Sequence, residues 1–328
     1  MDALSDILKS VRLEGAVYLN AEFTAPWCVS AKFGVATARA KLAGAEHMLY
    51  FHYLAEGGCK VRLGDGHAHA VAAQDLVIFP QEELHVMGSD LHLAPVETAS
   101  LLDAKAAARG TDVVQLRHGG GGEATRIVCG YLACDRSMCR LLFDALPRVL
   151  VIPMRDGPAS AMLQELLRVG VSESSASRPG AESLLAKLSE LMFVEAMRVY
   201  VESLPPGGRG WLAGVRDPHV GRALALIHAR PKQEWTVEDL SREAGLSRSA
   251  LAERFVSVIG EPPMQYLTRW RLTLAAAALR SGSRAIAQIA DEFGYESESA
   301  FNRAFKREFA VPPAAWRRRR APAPRNSG

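Results

Sequence analysis

The sequence has no long hydrophobic run. None of its stretches reaches 18 consecutive apolar residues, so we expect no transmembrane helix and no membrane partner. The first residues, MDALSDILKSVRLEGAV, also lack the basic segment followed by an apolar segment that marks a secretory signal. We therefore expect no such signal.

Cysteine is scarce and does not occur in metal-type or redox-type pairs. The chain has 5 cysteines, and no two of them form a Cys-x-x-Cys spacing. An odd number without paired spacing fits a reducing compartment better than a disulfide framework. The sequence therefore predicts a cytoplasmic protein.

The overall composition is that of an ordinary soluble globular protein, but the charge is unevenly distributed. The 328 residues are 48% hydrophobic and 23% charged, enough for about two domains. Residues 1–208 carry 19 Lys and Arg against 24 Asp and Glu, a balance of −5, whereas residues 209–328 carry 20 against 12, a balance of +8. Of those 20 cations 18 are arginine, whose planar fork suits phosphates and guanine edges. The last third is therefore expected to bind a polyanion.

The first half of the chain carries a β pattern. Short apolar runs (MLYFHYL, CKVRL, HAHAV and DLVIF) occur within residues 49–87, and Gly64–Gly66 forms a good hairpin turn between two of them. This spacing favours a sandwich or a barrel. The glycine run 119–122 is typical of a flexible loop, and the apolar strand ATRIVCGYLA follows it.

From Leu141 onward the pattern predicts helices. The longest spans AESLLAKLSELMFVEAMRVYVESL, and its apolar positions are too many for one narrow stripe. We expect the helix at 181–204 to be buried on two sides, either as a core helix or as a dimer interface. The run Pro205–Gly208 then breaks the chain and marks a domain boundary.

The last third contains two similar helix-turn-helix patterns. In the first, Thr236 and Asp239 form a capping-box pattern, Gly245 ends the helix, and Ser247 caps the next one. In the second, Ser283 is predicted to cap RAIAQIADEF, and Ser297 to cap SESAFNRAFKREF. The single helix PPMQYLTRWRLTLAAAALRS joins the two units. Such a pair can present two recognition helices to neighbouring major-groove segments of one duplex.

These segments resemble the tandem helix-turn-helix domain of the AraC/XylS family of transcription regulators. The resemblance rests on EPPMQYLTRWRLTLAAAAL, IAQIADEFGYESESAFNRAFKREF and VPPAAWR, and it covers about residues 219–320. More weakly, residues 1–200 resemble the cupin-type sensing domain of one branch of that family.

The resemblance implies an α+β multidomain chain. Its parts are a cupin-like effector-sensing β-barrel (1–155), a helical dimerisation segment with linker (156–208), and an all-α tandem helix-turn-helix DNA-binding domain (219–320). It implies a sequence-specific regulator, not an enzyme, with no cofactor. The expected partners are double-stranded promoter DNA, a small effector of unknown identity, a second copy of the chain and, for an activator, RNA polymerase.

The first recognition helix has three candidate DNA contacts. Arg248 and Ser249 lie at its N-terminal end, where side chains reach base edges. Glu253 stands where some family members have a base-contacting arginine. It either accepts from a cytosine amino group or merely pairs with Arg254.

The second recognition helix has a polar outward face opposite an apolar one. The outward residues are Glu298, Ser299, Asn302 and Arg303, and the core-facing ones are Ala300, Phe301, Ala304 and Phe305. Arg303 is the strongest candidate for reading a base, because a bidentate arginine–guanine pair is the commonest specific contact. The candidate phosphate contacts are Arg269, Arg271, Lys306 and Arg307. The run Arg317–Arg320 is interpreted as a disordered, solubilising tail.

The cupin-like half offers an incomplete ligand set. The spacing Gln74-x5-Pro80-x-Glu82-x2-His85 follows one cupin metal motif with both glycines replaced, and no His-x-His precedes His52. His52 and His85, with at most Cys129, would make a marginal metal site. We therefore predict no metal and treat these three residues as candidate effector contacts. Redox sensing through Cys28, placed by the sequence in an N-terminal loop, stays open.

Two other functions compete with the regulator. A cupin oxygenase or isomerase tethered to DNA would need three fixed metal ligands, which the motif lacks. A non-specific architectural DNA binder would need apolar wedges, which are not evident on the recognition helices.

Overall fold

The computed structural model describes residues 3–10, 13–31, 47–101, 113–134, 141–155, 160–175 and 179–318. These residues divide into two compact units. A sheet unit holds the described residues of 13–134, 146–155, 160–175 and 179–203. A helical unit holds 204–318 together with the described parts of 3–10 and 141–145. Among the described helices, none combines the length and apolar character needed to cross a membrane.

Eleven strands lie in the described part of the chain. Their bounds are β1 (Glu14–Thr24), β2 (Cys28–Ala31), β3 (His47–Glu56), β4 (Gly58–Leu63), β5 (His69–Ala72), β6 (Asp75–Phe79), β7 (His85–Gly88), β8 (Val96–Glu97), β9 (Val114–Gly119), β10 (Ala124–Cys134) and β11 (Leu150–Pro153). The predicted hairpin at Gly64–Gly66 is confirmed, since β4 and β5 pair antiparallel across it.

The strands form two sheets that share one core. The larger sheet has the order β11-β6-β3-β10-β1-β9, and the smaller has the order β5-β4-β7-β2-β8. Side chains of both sheets, such as Tyr50 from β3 and Met87 from β7, belong to the same buried cluster. Within the described residues this is a two-sheet arrangement, and not the closed barrel that the family resemblance implied.

Several strands, among them β9 and β11, were not predicted from the sequence. The pattern assigned the chain after Leu141 to helices, but β11 pairs antiparallel with β6, with Leu150 opposite Ile78. This part of the prediction is wrong because LVIP is short and rich in β-branched residues, which favour a strand, and its proline is tolerated since β11 lies at the edge of the sheet. The parallel pairing of β9 with β1 joins Gly119 to Thr24, a separation that local periodicity does not report.

The glycine run 119–122 leads into an exposed loop between β9 and β10, as predicted, and its first residue packs closely against the end of β1. Gly119 has a φ of 134°, and a Cβ there would lie 1.9 Å from the carbonyl oxygen of Thr24. Gly121 donates its backbone N–H to the Thr24 hydroxyl over 2.9 Å. Only glycine fits at 119, because this φ and this approach both exclude a side chain.

Twelve helices are described. Their bounds are α1 (Ala3–Ser10), α2 (Thr98–Leu101), α3 (Ser160–Ser175), α4 (Ala181–Ser203), α5 (Trp211–Arg216), α6 (Pro218–Ala229), α7 (Val237–Ala244), α8 (Arg248–Ile259), α9 (Pro263–Ser281), α10 (Ile286–Glu292), α11 (Glu298–Phe309) and α12 (Pro313–Arg318). The long helix predicted at 181–204 is therefore confirmed as α4. It packs against β1 and α3, and Leu191 on its outer side is 41% exposed.

The N-terminal helix belongs to the helical unit and not to the sheet unit. The side chains of Ala3, Leu4 and Ile7 are buried, and α1 packs against α5 and α6. The sequence predicted that residues 1–155 form one domain and did not predict that α1 packs with the helical unit. Docking of an eight-residue amphipathic helix onto a distant partner leaves no local signal in the sequence.

Candidate nucleic-acid interface and sensor core

The first helix-turn-helix unit has the capping chemistry that the sequence predicts. The Thr236 hydroxyl accepts from the Asp239 N–H over 3.1 Å, while the Asp239 carboxylate accepts from the Thr236 N–H over 3.2 Å. Gly245 ends α7 in the left-handed conformation, with φ 72°. The Ser247 side chain accepts from the Ala250 N–H and so begins α8. Both capping predictions are confirmed.

The second unit repeats this arrangement with one difference. The Ser297 side chain accepts from the Ala300 N–H at the start of α11, which confirms that cap. The predicted cap at Ser283 is wrong, because α10 begins after Ala285. The Gln288 side chain accepts from the Ala285 N–H over 3.1 Å, so a glutamine three residues later satisfies the donor at this helix start.

The two recognition helices, α8 and α11, are anchored alike and present different outward faces. Their inner residues Leu251, Phe255, Phe301 and Phe305 are fully buried. Of the residues predicted to face outward on α11, Glu298, Ser299 and Arg303 are exposed and Asn302 is half-buried. Ala304 is buried as expected.

The arginines of α8 bind carboxylates of the same unit. Arg248 lies 2.8 Å from Glu238, with both side chains largely exposed. The Arg254 guanidinium donates to Asp217, the N-cap of α6, with bonds of 2.7–3.1 Å. Glu253 is exposed and, among the described residues, has no hydrogen bond or ion pair. The alternative that Glu253 pairs with Arg254 is therefore not what the structure shows.

Asp217 is an anionic anchor at the start of the domain. Burial alone would raise its pKa. Hydrogen bonds from Arg254 and from the backbone N–H groups of Val220 and His219 outweigh that effect and lower the pKa. Asp217 is therefore ionised at neutral pH and holds Arg254 against the body of the domain.

The cations of α11 remain available. Arg303 and Lys306 are exposed, and their side chains make no ion pair or hydrogen bond with a described residue. Arg307 is also exposed and acts electrostatically on Tyr295, whose pKa is raised chiefly by burial. Three cations in two helical turns give α11 a positive outward surface that α8 does not have.

The two predicted phosphate contacts on α9 are engaged inside the domain. Arg269 donates to Glu261, and its side chain is 26% exposed. Arg271 donates to the carbonyls of Pro231 and Gln233 over 2.7 and 2.9 Å, and burial lowers its pKa. These partners occupy donors that a phosphate would need, which favours structural roles for both residues.

A buried polar network supports the first unit, and the sequence did not point to it. The Trp211 Nε1–H donates to the Tyr266 hydroxyl over 2.7 Å, and that hydroxyl lies 2.7 Å from His228 Nε2. His228 also stacks on Trp270 at 4.2 Å between ring centroids. Burial lowers the pKa of His228 to about 3, so the imidazole is neutral at pH 7. In the sequence, the feature that could have indicated this network is the position of His228 among the apolar residues of α6.

The predicted effector residues meet in the core of the sheet unit. His52 and His85 are buried with their Nε2 atoms 2.7 Å apart, and Cys129 stands opposite His52 on the neighbouring strand. The Phe79 ring stacks on His85 at 3.7 Å between centroids. The sequence grouping of the three residues is therefore matched by their positions.

The hydrogen bonds fix the tautomers of this pair. The Glu83 carbonyl lies 3.1 Å from His85 Nδ1 and can only accept, so that nitrogen carries the hydrogen. His85 Nε2 then accepts from His52 Nε2–H. His52 Nδ1 is left as a buried acceptor without a partner among the described residues.

Burial keeps both imidazoles neutral. It holds the pKa of His52 well below its usual value, an effect to which the nearby His85 adds. Burial lowers the pKa of His85 to about 4, although the bond to the Glu83 carbonyl acts in the opposite direction. Burial also raises the pKa of the Cys129 thiol, with a smaller contribution from Cys59. The cluster is uncharged at pH 7.

The described residues hold no metal-type cluster, and their cysteines are either buried or disulfide-bonded. No group of three or more His, Cys, Asp or Glu residues there is placed to hold a metal ion. Gln74, at a motif position normally held by glycine, keeps a φ of 68°. Cys28 lies in β2 and is buried, not in a loop, and burial raises its thiol pKa, which disfavours a reactive thiolate. Cys134 is disulfide-bonded, which the cysteine spacing did not predict.

Comparison with known proteins accounts for both units. Residues 2–202 match a family profile described as Cupin, and residues 240–319 match one described as a helix-turn-helix domain. An AraC-like transcription regulator of Streptomyces lividans is 33% identical over 320 residues, 97% of this chain and 98% of that protein. The HTH-type transcriptional regulator AlkR of Acinetobacter baylyi is 29% identical over 97% of this chain and 99% of its own length.

One solved structure adds a partial match. A transcriptional regulator with an AraC-type DNA-binding domain from Chromobacterium violaceum is 28% identical and covers 33% of this chain and 96% of that chain. The TM-score is 0.32.

Proposed function

Because the chain belongs to the AraC-like transcription regulators, we propose that it binds promoter DNA through α8 and α11 under the control of a small effector sensed by its sheet unit. It is a regulator and not an enzyme, as its relatives are transcription regulators. The observation that carries the proposal is the exposed polar and cationic face of α11, on a helix anchored by Phe301 and Phe305.

The DNA contacts are divided by their chemistry. Base contacts come from the second helix of each unit, through Arg248, Ser249, Glu253, Glu298, Ser299, Asn302 and Arg303. Lys306 and Arg307 contact phosphates. Arg269 and Arg271 are left out, because Glu261 and backbone carbonyls hold them within the domain, whereas Arg248 and its partner Glu238 are both largely exposed.

Selection of bound duplexes from a random pool by the full chain tests this function. We expect one enriched motif with two parts about 10 base pairs apart, the spacing of neighbouring major-groove segments on one face of a duplex. Recovery of duplexes without a common sequence would contradict specific recognition and would instead favour an architectural binder.

The effector site is proposed at His52, His85 and Cys129. Its support is the unpaired His52 Nδ1 in a neutral, largely apolar core, the kind of polar group that orients a small ligand. The variant His85→Ala should leave DNA affinity unchanged and alter the output of a reporter driven by the selected motif. The matched control is Leu84→Ala, at a neighbouring side chain that is 53% exposed. Equal reporter output from both variants would remove His85 from the site.

Assembly is proposed as a homodimer through α4. Leu191 supplies an exposed apolar side chain on the outer side of that helix. Light scattering at micromolar concentration should give twice the chain mass, and Leu191→Glu should reduce it to the mass of one chain. A monomeric wild type, with and without DNA, would contradict the dimer.

The remaining partners follow from the activity. If the chain activates transcription, RNA polymerase is a further proposed partner. Because promoter DNA is the proposed target, the cytoplasm is the proposed location.

A further inference from the structure

The two recognition helices differ at three of four aligned outward positions, the fourth being serine in both, although their anchors correspond. Ser247 and Ser297 cap them in the same way, and Phe255 and Phe305 occupy equivalent buried positions. This alignment sets one face of α8 (Ser249, Ala252, Glu253, Val256) against one face of α11 (Ser299, Asn302, Arg303, Lys306). The α11 set carries two free cations, whereas the α8 set carries one carboxylate and two apolar side chains.

These four α8 residues form a single stripe. Their spacing of i, i+3, i+4 and i+7 places them on one side of a helix. Val256 is 42% exposed, an unusual position for a large apolar side chain in this domain. Arg254 does not join the stripe, since Asp217 holds it against the start of α6. The stripe therefore offers methyl groups, one hydroxyl and one carboxylate, and no cation.

We propose that α8 reads thymine methyl groups and a cytosine amino group, and that Val256 and Glu253 are the specificity residues that do so. In the major groove only thymine presents a methyl group, which apolar side chains contact, and the cytosine N4 amine donates to carboxylates. The inference rests on the proposed function, in which α8 enters a major groove. In this proposal, α8 recognises its half of the DNA site through base contacts, with little electrostatic attraction to the phosphates.

Removal of single thymine methyls tests the Val256 assignment. In the duplex selected by the full-length wild type, each thymine is replaced in turn by deoxyuridine, and affinities are measured for wild type, Val256→Ala and Lys306→Ala. We expect at least one replacement to weaken wild-type binding about fourfold, the value of burying one methyl. The same replacement should have no effect on Val256→Ala and its full effect on Lys306→Ala, the matched position of α11.

Two results would overturn this assignment. One is that no replacement weakens wild-type binding, and the other is that every replacement weakens wild type and Val256→Ala equally. Misfolding does not complicate the comparison, because alanine is a better helix former than valine at this exposed site. Equal circular dichroism spectra and affinities for a motif-free duplex would establish that the variant is intact.

The Glu253 assignment is tested by substitution to alanine and to glutamine. Glu253→Ala should lower the preference for cytosine at one base pair about tenfold, and Glu253→Gln should shift that preference toward adenine, which glutamine pairs. If Glu253 only repels phosphates, both variants will bind all duplexes more tightly with the motif unchanged, which overturns the assignment.

Failure of the inference can be told from failure of the proposed function. A wild type that selects no motif contradicts the proposed function itself. A wild type that selects a motif confined to the half altered by Arg303→Ala leaves DNA recognition standing and contradicts only the role of α8.

Discussion

The first and second helix-turn-helix units are alike in architecture and opposite in surface chemistry. Where α8 has Glu253, α11 has Arg303, and where α8 has Arg254 bound to Asp217, α11 has the buried Ala304. Their cores differ as well, since Tyr266 and His228 form a polar network in the first, whereas the second packs aromatic rings such as Phe305 on Trp316. The two units thus share their inner faces and the serine caps of their second helices, whereas the caps of their first helices and most of their outward residues differ.

The largest expected effect is the loss of the base reader on α11. Arg303→Ala should weaken binding to the selected duplex by about 1–3 kcal/mol and abolish discrimination at one base pair, because a bidentate guanine contact is lost. Affinities for the selected duplex and for its three variants at that pair measure both quantities. Uniform weakening at all four would instead make Arg303 a phosphate contact and remove half of the contrast.

Acid should destabilise the first unit through His228. The pKa of this histidine is lowered to about 3 in the fold, so protons bind the unfolded chain more readily. The stabilisation is present above the usual pKa of about 6.5 and is lost as pH falls toward 3, a cost of about 2 kcal/mol at pH 5. Thermal unfolding of the full chain at pH 7 and pH 5 measures it.

His228→Gln supplies the comparison, because a glutamine keeps an acceptor for Tyr266 and does not titrate. The shift between pH 7 and pH 5 should be smaller in this variant than in the wild type. Equal shifts would mean that other groups, such as His52 and His85, carry the acid response.

The next effect is the loss of the Asp217 anchor, which should destabilise the first helix-turn-helix unit and not the second. Asp217→Ala removes both the N-cap of α6 and the ion pair with Arg254, and should destabilise that region by about 1–2 kcal/mol. Asp217→Asn keeps a capping oxygen and should cost less. Hydrogen exchange of α6 and α8 amides in the full chain measures the change, with α11 amides as the internal reference. If α11 amides also exchange faster in Asp217→Ala than in the wild type, the two helix-turn-helix units are not stabilised independently of each other.

Salt dependence gives the smallest effect. Lys306→Ala should reduce the slope of log affinity against log salt by about 1, since one phosphate contact is lost, and leave the motif unchanged. Val256→Ala, at the equivalent position of α8, should not change the slope. A reduced slope for both would mean that the substitutions alter the fit of the whole domain on DNA.

Local signals made much of this comparison predictable from the sequence. Capping by Ser247 and Ser297 depends on contacts three residues away, and the inner faces follow helical periodicity, so both were found. The same reasoning failed at Ser283, where Gln288 satisfies the helix start from the other direction. Residue type alone therefore identifies a cap when the capping side chain belongs to the N-cap residue, as at Ser247 and Ser297. It fails when a side chain inside the helix satisfies the N-cap backbone, as Gln288 does.

Long-range partners were beyond the sequence. Nothing local shows that Arg254 binds Asp217, 37 residues away, or that carbonyls of the 231–233 segment hold Arg271. The same applies to the sheet unit, where pairing of His52 with His85 was inferred from a motif but the parallel β1–β9 pair was not. These long-range contacts determine which arginines and lysines remain free to bind DNA.

The most direct test is a parallel selection from one random pool by the full-length Arg303→Ala chain and by the double variant Glu253→Ala, Val256→Ala. We predict that each variant loses sequence preference in a different half of the wild-type motif and keeps it in the other. If both lose preference in the same half, or if the double variant returns the wild-type motif unchanged, the two helices do not divide the site as described.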